Sequence, residues 1–286
     1  MRKLLTIIVY TILVLLIGRN LISLPRFTVL SSPDTYIKEL QKETEKNIEG
    51  KKGNYGVSFL NITTKETFGI NESEMFTAAS VNKVPIVAVL YALEHQDKID
   101  FDEQITLQEN DIQDYGTGSL RYQKTGTTYS LKTLAKLALK ESDNTAAHIL
   151  NNKIETERVQ AMLDSWGLTQ TNMEENTTSP SDMQKLFLKI YNNEITTEGK
   201  SKELLGFMQN TDIEDRIPSL LPEGTVVSHK TGDAVGSLHD VGIITRNDTS
   251  YFLAVMTSDI GEDEQAAKKS IADIAQNIFT FYDKRN

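Results

Sequence analysis

The sequence predicts a two-lobed α+β fold in which both ends of the chain build one mixed lobe and a helical lobe is inserted between them. Three observations predict it. The 286 residues are 39% hydrophobic and 24% charged, an ordinary globular balance, and a body of about 250 residues buries a core without covalent staples. The periodicity runs helix, strands, a long helical stretch, strands and a final helix. A single mixed layer with the helices inserted is the simplest packing of that order.

The elements follow in chain order. Arg2 and Lys3 precede an apolar run from Leu4 to Ile17, and apolar character resumes after Arg19 and Asn20 up to Leu24. The first run alone is short of the ~20 residues a helical span needs; Leu4 to Leu24 reaches it if Arg19 and Asn20 snorkel. Residues 1–24 are therefore expected to be a membrane anchor. A cleaved signal segment is the alternative, disfavoured by the lack of a small-x-small cleavage site. Either way the leading positive charges send the body outward. A linker is expected over 25–34.

The main domain is expected over 35–286, with the mixed lobe over 35–77 and 212–286 and the helical lobe over 78–211. A helix is predicted around Thr35–Ile48, then a hairpin of Gly56–Ile62 and Thr67–Ile70 around a polar turn. Phe76–His95 is helical in its later part, where Pro85 suits the first turn. Helical patterns continue at Leu131–Leu139, Thr145–Asn151, Glu157–Ser165, Ser181–Tyr191 and Lys202–Met208. Strands are predicted at Thr225–Lys230, Leu238–Ile244 and Tyr251–Thr257, and a terminal amphipathic helix at Glu264–Tyr282.

Composition excludes several kinds of function. A net charge of −10 argues against nucleic acid as a partner. With no cysteine there is no disulfide, thiolate nucleophile, thiolate metal site or lipidated cysteine. The four histidines never fall at i, i+4, so a helical zinc motif is missing and no metal or cofactor is expected. No Gly-x-Ser-x-Gly occurs, which disfavours an α/β-hydrolase esterase.

Three short motifs carry chemistry. Ser80-Val-Asn-Lys83 sets a hydroxyl and an amine three residues apart at a helix start, on one face. A serine needs a base, and a lysine with a lowered pKa can serve. Taken alone, the motif is better read as a helix cap with a solvated lysine. Ser142-Asp-Asn144 lies between two helical patterns, as a loop facing a cleft or as an N-cap. Lys230-Thr231-Gly232 reads as a strand exit, with a cation, a hydroxyl and a glycine that would let a ligand approach the backbone. A second Lys-Thr-Gly at 124–126 lies in a polar loop and is set aside.

Together, in this order and in these contexts, the three motifs resemble the signature of class A β-lactamases and penicillin-binding proteins. The resemblance runs from about Thr35 to the C-terminus and includes Asn144-Thr-Ala-Ala147, Thr177-Thr-Ser-Pro180 and His239-Asp-Val-Gly-Ile-Ile244. It implies a β-lactamase-like fold with an antiparallel sheet flanked by the terminal helices. It also implies a bacterial, cell-wall-facing protein whose substrate is a β-lactam or a D-alanyl-D-alanine-like stem peptide; a monomer is expected. Ser80 would be the nucleophile, Lys83 the proton acceptor and Ser142 the donor to the leaving nitrogen. Lys230 and Thr231, with Gly232 beside them, would hold the substrate carboxylate, and Asn144 its side-chain amide. The backbone N–H groups of Ser80 and Asp233 would form the oxyanion hole. Tyr115 stands where the family often has an aromatic wall, and Arg216 where some members keep a second carboxylate-binding arginine.

One departure bears on turnover. Class A enzymes carry Glu-x-x-Leu-Asn ahead of the Thr-Thr-x-Pro stretch, whereas here Trp166 to Asn176 runs straight into Thr177 and the loop is shortened. Glu174 and Glu175 remain, read as a solvated acidic turn. The loss of a positioned base predicts a slow second step. The chain is thus expected to be a weak serine hydrolase or, alternatively, a penicillin-binding sensor without efficient turnover.

Overall fold

The computed structural model describes residues 33–247 and 249–283; the expected anchor and most of the linker lie outside them. None of the described helices is long and apolar enough to cross a membrane.

Strands β1 (Asn54–Asn61), β2 (Thr67–Ile70), β7 (Val226–Ala234), β8 (Ser237–Arg246) and β9 (Thr249–Ser258) form one antiparallel sheet in the order β2-β1-β9-β8-β7. Side chains alternate across a strand, so each central strand feeds two cores. In β9, Tyr251, Leu253 and Val255 enter one cluster, while Phe252, Ala254 and Met256 enter another. The first cluster contains Leu40 of α1 (Pro33–Ile48) and Ile271, Ile274 and Ile278 of α8 (Glu264–Asp283). The second joins the sheet to α2 (Lys83–His95), α3 (Leu131–Lys140), α4 (Asn144–Ile154), α5 (Thr156–Ser165), α6 (Pro180–Tyr191) and α7 (Glu198–Phe207).

Helix α2 is buried at every position from Lys83 to Leu93. A helix that is apolar all round belongs at the centre of a core, and a lysine at its first residue is the exception that matters below. Ser58 of β1, on the face turned to these helices, spends its hydroxyl on Gln184 of α6 at 2.5 Å.

Two features differ from expectation. The Lys-Thr-Gly tripeptide is not a strand exit: β7 continues to Ala234, and the ladder closes at Ala234↔Ser237 around Val235 and Gly236, the latter at φ +71°. The glycine and aspartate suggested a break, but pairing with β8 overrides local preference. Sequence periodicity also passes over four short strands, β3 (Phe76–Thr77), β4 (Gln104–Thr106), β5 (Thr128–Ser130) and β6 (Thr177–Thr178), which pair β3 with β6 and β4 with β5. Two or three residues are too few for a period of two to register.

Candidate active site

Ser80 sits in a 3₁₀ turn, Ala79–Asn82, between β3 and α2. The turn is held from several sides. Ala78 N–H donates to the Asn176 carbonyl at 2.7 Å, Val81 is fully buried, and Ala79 is forced to φ +49°. A left-handed alanine is strained, and such strain persists where the surroundings over-determine it. Gly232 of β7 explains part of the tightness: a Cβ there would lie 2.9 Å from the Ala78 carbonyl and 3.0 Å from Val81. The space expected for a ligand at Gly232 is taken by the chain's own turn around Ser80.

Lys83 Nζ is the hub. It lies 2.7 Å from Ser80 Oγ, 3.1 Å from Ser142 Oγ, 2.7 Å from the Ser142 carbonyl and 2.7 Å from Asn144 Oδ1. The side chain is 3% exposed. Burial, followed by the nearby Lys230 charge, brings its pKa down to about 7, against a smaller opposing pull from Asp143. Lys230 Nζ approaches Ser142 Oγ from the other side at 3.0 Å and also donates to the Thr231 carbonyl at 2.9 Å. Burial lowers Lys230 to about 8, with Asp240 and Asp233 pulling back. One hydroxyl therefore bridges two ammonium groups that burial makes reluctant to stay charged.

The tripeptide 142–144 is a loop that also caps a helix. Asp143 is the N-cap of α4, its Oδ1 accepting from Ala146 N–H at 2.8 Å, so both sequence readings hold at once. Ser142 adopts φ +54°, which turns it toward the lysines. A loop over residues 113–121 braces this turn: Thr117 Oγ1 donates to the Ser142 carbonyl at 2.8 Å, Leu120 N–H to Asp143 Oδ2 at 2.8 Å, and Asn144 Nδ2 to the Tyr115 carbonyl at 3.0 Å. Gly118, at φ +111°, is required, since a Cβ would meet the Asp143 carboxylate at 2.2 Å.

These elements surround a cleft of about 650 Å³ whose lining includes Ser80, Lys83, Ser142, Asn144, Tyr115 and Asp233. Tyr115 is 64% exposed at its lip. Lys230 and Thr231 lie one step behind, in a narrow crevice that meets the cleft at Ser142 and Ile213.

Arg216 needs a correction. It is neither a surface residue nor an arm reaching into the cleft: it is 1% exposed and not part of the cleft lining. Its guanidinium donates to the His239 carbonyl at 2.8 Å and the Gly232 carbonyl at 3.5 Å, and pairs with the Asp233 carboxylate. Two strand carbonyls and the chain's own carboxylate hold the fork, so the carboxylate it binds is internal.

Two histidines assigned no role of their own from the sequence prove structural partners of this part of the sheet. His229 is fully buried, with Nδ1 2.7 Å from Asp240 Oδ1 and Nε2 3.1 Å from Glu214 Oε1. Burial opposes its charge, but the two carboxylates outweigh that and raise it to about 9. His239 has no such partners, and burial lowers it to about 4. Its Nδ1 accepts from Thr257 N–H at 3.1 Å, so Nε2 carries the proton and donates to the Thr77 carbonyl at 2.7 Å, tying β3 to the sheet. One histidine in each of two successive predicted strands was the available signal.

The shortened loop brings Met173 and Asn176 to the cleft, while Glu174 and Glu175 are exposed and do not line it. Asn82, also unremarked in the sequence, donates from Nδ2 to Asn176 Oδ1 at 2.7 Å.

A sequence model described as the β-lactamase enzyme family matches residues 38–282. The β-lactamase VEB-1 of Pseudomonas aeruginosa is 26% identical over 284 residues, covering 90% of this chain and 94% of its own. The extended-spectrum β-lactamase PER-1 of the same organism is 24% identical, over 85% and 87%. Among solved structures, PBP-A superposes with a TM-score of 0.80 at 25% identity, covering 86% of this chain and 96% of its own. The TLA-1 extended-spectrum β-lactamase does so at 0.80 and 25%, covering 86% and 99%. A PBP-A mutant described as an acyl-enzyme complex with penicillin G shares the fold at a TM-score of 0.79 and 24% identity, covering 88% and 97%.

Proposed function

Because this chain belongs to the β-lactamase enzyme family, as a serine β-lactamase-like hydrolase, we propose that it forms an acyl-enzyme on Ser80 with β-lactams or D-alanyl-D-alanine-like cell-wall peptides and releases that acyl group slowly. One observation carries the reading. Ser80 Oγ lies 2.7 Å from an amine that burial has brought to a pKa of about 7, low enough for the free base to act near neutrality.

The neutral amine takes the Ser80 proton as Oγ attacks the carbonyl carbon. The backbone N–H groups of Ser80 and Asp233, both on the cleft lining, receive the developing oxyanion; one such donor is typically worth about 10²–10³ in rate. The C–N bond then breaks, and Ser142 Oγ gives its proton to the departing nitrogen. Lys83, 3.1 Å away and now protonated, restores it. Lys230 keeps positive potential behind Ser142 and, with Thr231, draws the substrate carboxylate. Asn144 and Tyr115 flank the acyl side chain.

The second half of the cycle needs a base for water, and the loop that would supply one offers the cleft a thioether and a carboxamide. This supports slow release, and it equally supports a second reading in which the acylated protein is a sensor. On either reading residues 1–24 hold or deliver the domain outside the bacterial membrane. Labelling with a fluorescent penicillin tests the nucleophile: a covalent band that disappears in Ser80→Ala is expected, and a band that survives that substitution overturns the assignment.

A further inference from the structure

The residue that precedes α2 has a side chain whose ordinary use is refused. Asn82 is the N-cap of that helix, the position where asparagine normally accepts from a free helix N–H, yet it makes no side-chain cap bond. Its carboxamide instead turns to the cleft and meets Asn176. Asn176 is also fixed: its backbone is left-handed at φ +51°, a conformation asparagine tolerates, and its carbonyl accepts from Ala78 N–H two residues before the nucleophile. Both side chains are partly buried and line the cleft beside Ser80.

A side-by-side pair of carboxamides can make two hydrogen bonds, and this pair makes one, Asn82 Nδ2 to Asn176 Oδ1 at 2.7 Å. Each amide has two donor hydrogens and an oxygen with two lone pairs. The bond therefore leaves the oxygen and one N–H of Asn82, and both N–H hydrogens and one lone pair of Asn176, without a partner among the described residues. Exchanging O and N in both amides leaves the same donors and acceptors with the residues swapped. Among these groups the Asn82 oxygen and an Asn176 N–H stand on one edge, an acceptor beside a donor, and together they can meet the N–H and C=O of a single peptide group. A ligand that covers these groups takes their water away, so one that pairs with both is favoured over one that covers them and pairs with neither.

We infer that Asn82 and Asn176 form an amide-recognition subsite, separate from Asn144, that selects acyl chains carrying a second peptide group. The inference rests on the Ser80 acyl-transfer reading and refines it: the preferred acyl donor is a peptide rather than a compact mono-amide such as a simple penicillin. The two walls then grip two amides. Asn144, its Oδ1 engaged by Lys83 and its Nδ2 by Tyr115, serves the one nearer the scissile carbonyl, and the Asn82–Asn176 edge serves the next.

Three thioesters test this on the full chain: N-acetylglycyl, with one amide; N-acetylglycylglycyl, with two; and the second compound with its outer amide replaced by an ester. Acylation of Ser80 is followed by mass. The two-amide probe is expected to acylate the wild type about tenfold faster than the one-amide probe, the gain of one or two added hydrogen bonds, with the ester analogue in between. In Asn82→Ala and Asn176→Ala the ratio of the two rates should fall toward one. Taking the ratio within each variant cancels any general loss of acylation or stability. A wild-type ratio near one, or a ratio that both substitutions leave unchanged, overturns the inference. So does an effect confined to release of the acyl group, which would give the pair to water instead. Failure of every probe to modify the wild type while a penicillin labels Ser80 would also reject the peptide preference; failure of the penicillin as well would reject the underlying reading.

Discussion

On one side of the cleft, Lys83 Nζ links Ser80 Oγ at 2.7 Å to Ser142 Oγ at 3.1 Å, and a second lysine closes on the same serine at 3.0 Å. On the side contributed by residues 166–176, Met173 and Asn176 face the cavity and the two glutamates face solvent. Burial acts differently on the two. It drives Lys83 down to about 7, where the amine can accept a proton, whereas the thioether and the carboxamide of the other side have no proton to exchange near neutrality. A site equipped to make an ester and not to hydrolyse it is the chemistry this contrast supports, because acylation and deacylation draw on different walls.

The contrast breaks most directly at its hub. Lys83→Ala should slow acylation by about 10²–10⁴-fold, the usual worth of a positioned base. In the wild type the acylation rate should climb with pH through about 7, as Lys83 loses its proton, and level or fall beyond about 8, as Lys230 loses its charge. Stopped-flow labelling across pH checks both, and a flat profile would remove Lys83 from the role of base.

Asn176→Asp sharpens the comparison from the other side. It places a carboxylate on the wall that lacks one, and release of the acyl group should accelerate toward the low end of the same range, about 10²-fold. Acyl-enzyme lifetimes measured by mass give the answer; an unchanged lifetime means that the missing base is not what slows release.

How much of this could be read in the letters depends on scale. Elements long enough for a period to repeat, such as α2, α6, α8, β8 and β9, were legible, and the three motifs converge because the sheet and α2 bring residues 80, 142 and 230 together. What was not legible depended on partners far along the chain. Gly232 looked like an opening for ligand, but its neighbour is Ala78, more than 150 residues earlier. Arg216 looked like a free arm because nothing in its local sequence announces the two strand carbonyls and the carboxylate that occupy it. Asn82 passed unremarked because its partner Asn176 lies 94 residues further along the chain.

Arg216→Ala should therefore act on stability before it acts on substrate. Removing the guanidinium takes a donor from two strand carbonyls, while the half-exposed Asp233 carboxylate can turn to water, and a loss of about 2 kcal/mol is expected. Urea unfolding measures it, and a near-neutral result would return Arg216 to a role in the cleft.

The smallest expected effect concerns the latch behind β7. His229 titrates at about 9 in the folded chain against an ordinary value near 6.5. Its raised pKa adds stability that is complete below about pH 6.5 and is lost as pH rises through about 9. The part owed to Glu214, which is 39% exposed and so weakly coupled, should appear as a difference of about 1 kcal/mol or less between wild type and Glu214→Gln at pH 6. That difference should vanish at pH 10, and one independent of pH would mean that His229 is not charged.

Intact-mass spectrometry of the full chain after mixing with benzylpenicillin tests the central claim most directly. An adduct of one penicillin should form on Ser80, accumulate ahead of free hydrolysed product and outlast its own formation many times over, and Ser80→Ala should show none. Rapid consumption of the penicillin with the protein at its unmodified mass throughout, or an adduct on Ser80→Ala, would contradict it.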